Sequence, residues 1–185
     1  MRRAFLFVLM ISLLLLAACS AGSGNWETVD MIRQELQAAE MLTMQAWVCT
    51  SDCEYVLQCT GGGEEYTVVV LEPEIIAGVT ATVQSGDLVL DYDGVQLSAG
   101  ELNSDGLNPV SALPCVADTL TNGFQTLVWR EEMLGIECIT AQFRVSDETV
   151  LTVWIDPELH APVYAELDNG GKVVVSCTYD MWIRG

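Results

Sequence analysis

The chain has 185 residues, 26 of them acidic against 7 lysines and arginines, and a formal charge of −19. Phosphate contacts need lysine and arginine, so this balance argues against nucleic-acid binding; it argues equally against a protein face that lies flat on anionic lipid. With 51% hydrophobic residues, the length suits one domain with a core large enough that disulfides are not obligatory for folding.

Arg2 and Arg3 form a short positive start, and residues 5–18 are an apolar run broken by Ser12. A spanning helix needs about 20 apolar residues, so this run reads as the apolar region of a signal peptide. Leu16-Ala17-Ala18-Cys19 then matches the bacterial lipobox, Leu-Ala-(Gly/Ala)-Cys, in every position. The match implies cleavage ahead of Cys19 and attachment of a diacylglyceryl group to its sulfur. A single acyl chain binds only reversibly, which is why such anchors carry more than one. The expected organisation is a signal peptide over 1–18, lipidated Cys19 and a flexible tether over 19–27, and one domain over 28–185. The chain is expected at the extracytoplasmic face of a cell membrane, with that membrane as its first partner.

Six cysteines remain: Cys49, Cys53, Cys59, Cys115, Cys138 and Cys177. They permit disulfides of open connectivity, and a local bridge between Cys49 and Cys53 around Thr50-Ser51-Asp52 is feasible. Structural zinc sites pair their ligands twice at gaps of two to four residues, and here one pair fits, so buried thiols or disulfides are expected, with no metal and no cofactor.

"VDMIRQELQAAEML" places Val29, Ile32, Leu36 and Ala39 at helical spacing and predicts an amphipathic helix over 28–41. The period then changes to two. "MLTMQAWVCT", "CEYVLQCT", "EEYTVVVLEP", "EIIAGVTATV", "DLVLDYDG" and "VQLSAG" read as strands parted by turn residues. In "LNPVSALPCVADTLTNG", Asn108 caps and Pro109 opens a turn, Pro114 interrupts, and a second helix is expected over 114–121 with a stop at Gly123. Five more strands follow: "FQTLVWREE", "IECITAQFRV", "ETVLTVWID", "APVYAELDN" and "KVVVSCTYDMW", with "DNGG" at 168–171 as a type I′ hairpin signal. The expected class is α+β, a strongly curved antiparallel half-barrel sheet with an N-terminal helix and an inserted helix covering the concave face.

This order resembles the LolA/LolB-like bacterial lipoprotein family. "YTVVVLEPEIIAGVTATV", "LNPVSALP" and "WIDPELHAPVYAELDNGGKVVV" are similar to segments of LolA-like lipoproteins of spore-forming bacteria, the germination lipoprotein GerS among them. The resemblance implies an apolar cavity that holds acyl chains, or a shell of the same fold that binds a protein. A half-barrel of this length closes around side chains or one ligand, and Leu88, Leu90, Trp129, Phe143 and Val153 are the candidate ligand-lining residues.

Catalysis finds little support. His160 stands alone beside a proline in a loop, and no nucleophile elbow, zinc-protease helix or phosphate loop occurs. The carboxylate pairs Glu64/Glu65, Asp91/Asp93 and Glu131/Glu132 arise readily in so acidic a chain. The chain is therefore read as a non-enzymatic, lipid-anchored binder of a hydrophobic ligand such as a lipid or a lipoprotein acyl chain. The alternative is a lipoprotein partner that binds and regulates a cell-envelope or spore-cortex enzyme.

Overall fold

A computed structural model describes residues 20–63, 65–84, 87–101 and 105–185. The apolar start, the lipobox, Cys19 and Glu64 lie outside them. Within them the elements run α1 (Ser20–Ala38), β1 (Leu42–Thr50), β2 (Glu54–Gly62), β3 (Glu65–Glu72), β4 (Thr80–Gln84), β5 (Asp87–Tyr92), β6 (Val95–Glu101), α2 (Pro109–Asn122), β7 (Phe124–Met133), β8 (Ile136–Arg144), β9 (Thr149–Asp156), β10 (Ala161–Asn169) and β11 (Lys172–Arg184). A short 3-10 turn at Glu74–Ile76 separates β3 from β4. The strands form one sheet in the order β6-β5-β4-β3-β2-β1-β11-β10-β9-β8-β7. It is antiparallel throughout and open, with β6 and β7 as its two edges. These edges are consecutive in the chain, so the segment joining them must cross a face of the sheet. That segment contains α2, which is why the inserted helix lies over the sheet.

The first helix begins at Ser20, ahead of the expected start, and takes in the stretch read as a tether. Two side chains hold this early turn. Thr28 Oγ1 donates to the Gly24 carbonyl at 2.9 Å, and Asn25 Oδ1 accepts from Arg130 Nε on β7 at 2.9 Å. The helix ends at Ala38, and the backbone beyond it bonds the segment after β11: Glu40 N–H bonds the Gly185 carbonyl, and Gly185 N–H bonds that of Met41. Val29, Ile32 and Leu36 are buried, as the helical spacing predicts.

The second helix is one unit from Pro109 to Asn122, not a turn followed by a helix from 114. Asn108 Oδ1 accepts from Ser111 N–H at 2.9 Å as the N-cap. Pro114 stands inside the second turn and forfeits the intrahelical bond to the Val110 carbonyl. Burial of Ala112, Leu113, Val116 and Leu120 outweighs that loss. Gly123 ends the helix with φ −67, so its role is not a left-handed turn; a Cβ there would press on the Thr119 carbonyl, which the Gly123 N–H bonds at 2.8 Å. The expected "DNGG" turn is present, with Gly170 at φ 61 and Gly171 at φ 85 between the paired Asn169 and Lys172.

Cross-strand partners share a face of the sheet. On the face that carries the helices one row runs Val128, Ala141, Val153, Ala165, Cys177 and Val48 from β7 to β1. A second runs Met44, Cys59, Val68, Ala81, Leu90 and Leu97 from β1 to β6. The core lies between these rows and the helices. The helix α1 packs on β7, β8 and α2, and α2 packs on β1, β2 and β11.

Candidate functional site: the open end of the helix-bearing face

The apolar rows do not stop where the helices stop. Ala81 is buried, its partner Leu90 is half-buried, and the next partner, Leu97, is 63% exposed. The β5–β6 turn is Asp93-Gly94, with φ 53 and 77, and Gly94 N–H bonds Asp91 Oδ1 at 3.3 Å. This tight turn sets Tyr92 opposite Val95, so Leu90, Tyr92, Val95 and Leu97 share the helix-bearing face. The opposing wall comes from the 3-10 turn. Gly78 N–H bonds the Val70 carbonyl and Val70 N–H bonds that of Val79, both at 2.9 Å, which folds Ile75, Ile76 and Val79 back toward β5.

Together these residues line a cleft of about 590 Å³. Its walls are aliphatic apart from Tyr92 and Asp93, and Ile75 and Val95 are 85% and 72% exposed at its rim. An apolar patch of this kind favours whatever apolar surface it covers, by about 25 cal/mol per Å² removed from water. Two other clefts are mixed in character. One of about 210 Å³ lies between α1, α2 and the β2–β3 turn, near Tyr66 and Asp118. The other, of about 460 Å³, is lined by Arg130, Glu137, Asp156 and Glu158.

Of the five candidate residues, Leu90 lines the open cleft and Leu88 is buried beside it on the same face. Phe143 and Val153 are fully buried under the helices, with the Arg33 guanidinium 6.0 Å from the Phe143 ring centre. Trp129 is on the other face. It belongs to an outer row with Thr140, Trp154, Tyr164, Thr178 and Trp47, in which the Trp154 and Tyr164 rings lie 5.3 Å apart. A register shift between Gln125 and Leu127 moves the alternation of β7 by one residue and sends Trp129 outward. Ile75, Ile76, Val79, Tyr92, Val95 and Leu97 were not anticipated. Their signal in the sequence is a pair of isoleucines in a Pro- and Glu-flanked turn and an uncharged run after "DYDG".

Four of the titratable groups singled out in the sequence, His160, Glu131, Asp91 and Glu65, have structural partners. His160 Nδ1 lies 3.1 Å from Glu35 Oε1, and Arg184 Nη1 donates to Glu35 Oε2 at 2.6 Å, tying β11 and the β9–β10 turn to α1. Glu131 Oε1 accepts from Trp154 Nε1 at 2.6 Å, Asp91 serves the turn, and Glu65 accepts from Gln84. All six described cysteines are free thiols. The local Cys49–Cys53 bridge is ruled out by register. Cys49 pairs with Glu54 and Thr50 N–H bonds the Cys53 carbonyl, so the two cysteines point to opposite faces. Burial pushes the Cys59 and Cys177 thiols well up and that of Cys115 up to about 11, which leaves them protonated and inert. Among the described residues no group of His, Cys, Asp and Glu is arranged to hold a metal ion, and no helix is long and apolar enough to cross a membrane.

No protein-family model matches the chain, and no curated protein matches its sequence. Solved structures match in fold. An uncharacterised conserved protein from Thermus thermophilus aligns over 86% of each chain at 11% identity with a TM-score of 0.53. The Mycobacterium tuberculosis lipoprotein LppX aligns over 86% of this chain and 95% of its own, at 15% identity and a TM-score of 0.50. A LolA superfamily protein from Nitrosomonas europaea aligns over 85% and 93%, at 13% identity and a TM-score of 0.48. At these identities the likeness is one of fold. For the first two it agrees with the expected α+β class, an antiparallel half-barrel sheet with an N-terminal helix and an inserted helix; the sheet is open and not closed into a barrel.

Proposed function

We propose that this chain is a lipid-anchored, extracytoplasmic, non-catalytic protein that holds an apolar ligand, a lipid or a lipoprotein acyl chain, in the cleft at its β4–β6 end. The observation that carries the reading is the continuation of the apolar helix-bearing face past the helices into a cleft of about 590 Å³. That volume falls within the roughly 300–1,000 Å³ of small-molecule sites, and each methylene buried there contributes about 0.8 kcal/mol. The anchor would be Cys19. Asn25 near the start of α1 is bonded to β7, so an anchor on Cys19, the residue next to the head of that helix, joins the body at the sheet edge opposite the cleft. The cleft then stays clear of the anchoring membrane and open to a ligand arriving from outside. An enzyme-regulating partner role, in an envelope or a spore cortex, draws its support from the unprotected β6 edge.

Native mass spectrometry of protein purified without detergent tests the ligand reading. A co-purified adduct of lipid mass, lost in Leu90→Asp while the fold survives by circular dichroism, is the expected result. A bare protein mass that stays bare after incubation with phospholipid vesicles would refute it.

A further inference from the structure

The two edges of the sheet are not alike. Both edges carry a register shift, β7 between Gln125 and Leu127 and β6 after Ser98, but β7 alone is covered by α1 and carries Arg130, Glu131 and Glu132, devices that keep an edge from pairing. Along β6, Val95, Gln96, Leu97 and Ser98 carry no charge and no proline, all four are exposed, and no helix makes a major contact with the strand among the described residues. Tyr92 and Val95 flank a two-residue turn and exchange their main-chain bonds inward. The alternation of an antiparallel pair then turns the N–H and C=O groups of Gln96 and Ser98 outward, to a side where no strand pairs with β6 among the described residues.

Charge narrows the choice of neighbour. No lysine, arginine or histidine occurs between Arg33 and Arg130, a span that contains all of β1 to β6, while acidic residues recur through it. Glu72, Glu74, Asp87, Asp91 and Asp93 surround the β4–β6 end. A second copy of this chain would bring like charge to like charge. A segment with basic residues would meet the opposite sign.

We propose that β6 is an acceptor strand for an extended, cationic segment of a partner protein, one that alternates apolar and basic residues. The segment adds a twelfth strand to the sheet through the outward amides of Gln96 and Ser98. Its apolar side chains lie beside Val95 and Leu97 on the helix-bearing face, and its basic ones point to the other face beside Gln96, within reach of Asp91. Main-chain bonds supply affinity, and the alternation with the charge supplies selectivity. This goes beyond the apolar-ligand reading. It depends on the edge of β6, not on the floor of the cleft, so either can fail alone.

The test uses a synthetic alternating lysine–valine peptide of the length of β6, the matching glutamate–valine peptide, and the purified protein. The lysine peptide is expected to bind, to slow hydrogen exchange at the Gln96 and Ser98 amides, and to weaken at least tenfold as salt is raised. Gln96→Pro removes one outward N–H and leaves the inward pairs of Val95 and Leu97 intact, so the fold survives and binding falls about tenfold or more. Leu90→Asp, which disrupts the cleft floor and spares the outward amides, is expected to keep peptide binding. Equal binding of the glutamate peptide, unchanged affinity in Gln96→Pro, or binding without protection of β6 would each overturn the proposal. So would a concentration-dependent dimer that buries β6, since it would assign the edge to a second copy.

Discussion

The β7–β8 end and the β4–β6 end of this sheet are built from the same alternating apolar pattern and end in opposite states. At the first, α1 lies on the sheet, Phe143 and Ile139 are fully buried, and Arg33 donates to the Thr121 and Gly123 carbonyls at the exit of α2. At the second, Leu97 and Val95 continue the same face with nothing laid over them among the described residues. An apolar face therefore becomes core or binding surface according to where the crossing helices land. Here the connection from one edge to the other covers β11, β1 and β2 with α2, and among the described residues no helix covers β4, β5 and β6.

The largest effect should come from the covered end. Phe143→Ala removes a fully buried ring and is expected to cost about 3–5 kcal/mol in urea unfolding. A charge at Phe143 would unfold the protein and so cannot probe a ligand site. Loss of less than about 1 kcal/mol would mean the helices do not seal this end.

Alkaline titration should weaken the packing beneath α2. Burial, aided by Asp118, pushes the Tyr66 hydroxyl from 10.0 up to about 12, and burial pushes the Cys115 thiol from 9.0 up to about 11. In both cases the neutral form is the one folded. The unfolded chain releases these protons first, so the stabilisation is complete below about pH 9 and is lost as pH rises through the folded values. A fall on the order of 2–3 kcal/mol per group between pH 9 and 12, flattened in Tyr66→Phe, is the expected unfolding profile.

Much of the fold can be read from the residues, because its determinants are local. The eleven strands follow from alternation and turn residues, and Asn108, Gly123 and Gly170-Gly171 mark their breaks for reasons of capping, crowding and positive φ. The site is less legible. Leu90, Phe143 and Val153 have the same pattern around them, and only the placement of α1 and α2 makes two of them core and one a cleft wall. Trp129 fails for a different reason: a bulge two residues earlier reverses the face, and a bulge has no reliable mark in the sequence. An early turn of α1 is held by the Asn25–Arg130 bond across more than half the chain, which no local pattern marks.

Arg33→Ala should sharpen the contrast at moderate cost. It removes bonds of 3.3 and 3.0 Å to the α2 terminus, for a loss of about 1–2 kcal/mol, and faster amide exchange confined to α1, α2 and β7 would mark the covered end as its target. Leu97→Ser should do least. Its side chain is 63% exposed, so unfolding should change by less than about 0.5 kcal/mol while affinity for an apolar ligand falls. A loss of several kcal/mol there would show that the bare end is covered after all.

The most direct measurement is photolabelling with a diazirine fatty acid, followed by peptide mapping. Label recovered on Ile75–Val79 and Leu90–Leu97, and displaced by unlabelled fatty acid, is the result expected if the open end of the apolar face is the binding surface. Label spread over the whole chain without displacement, or concentrated on peptides of α2 and β8, would contradict the division of this sheet into a sealed end and an open one.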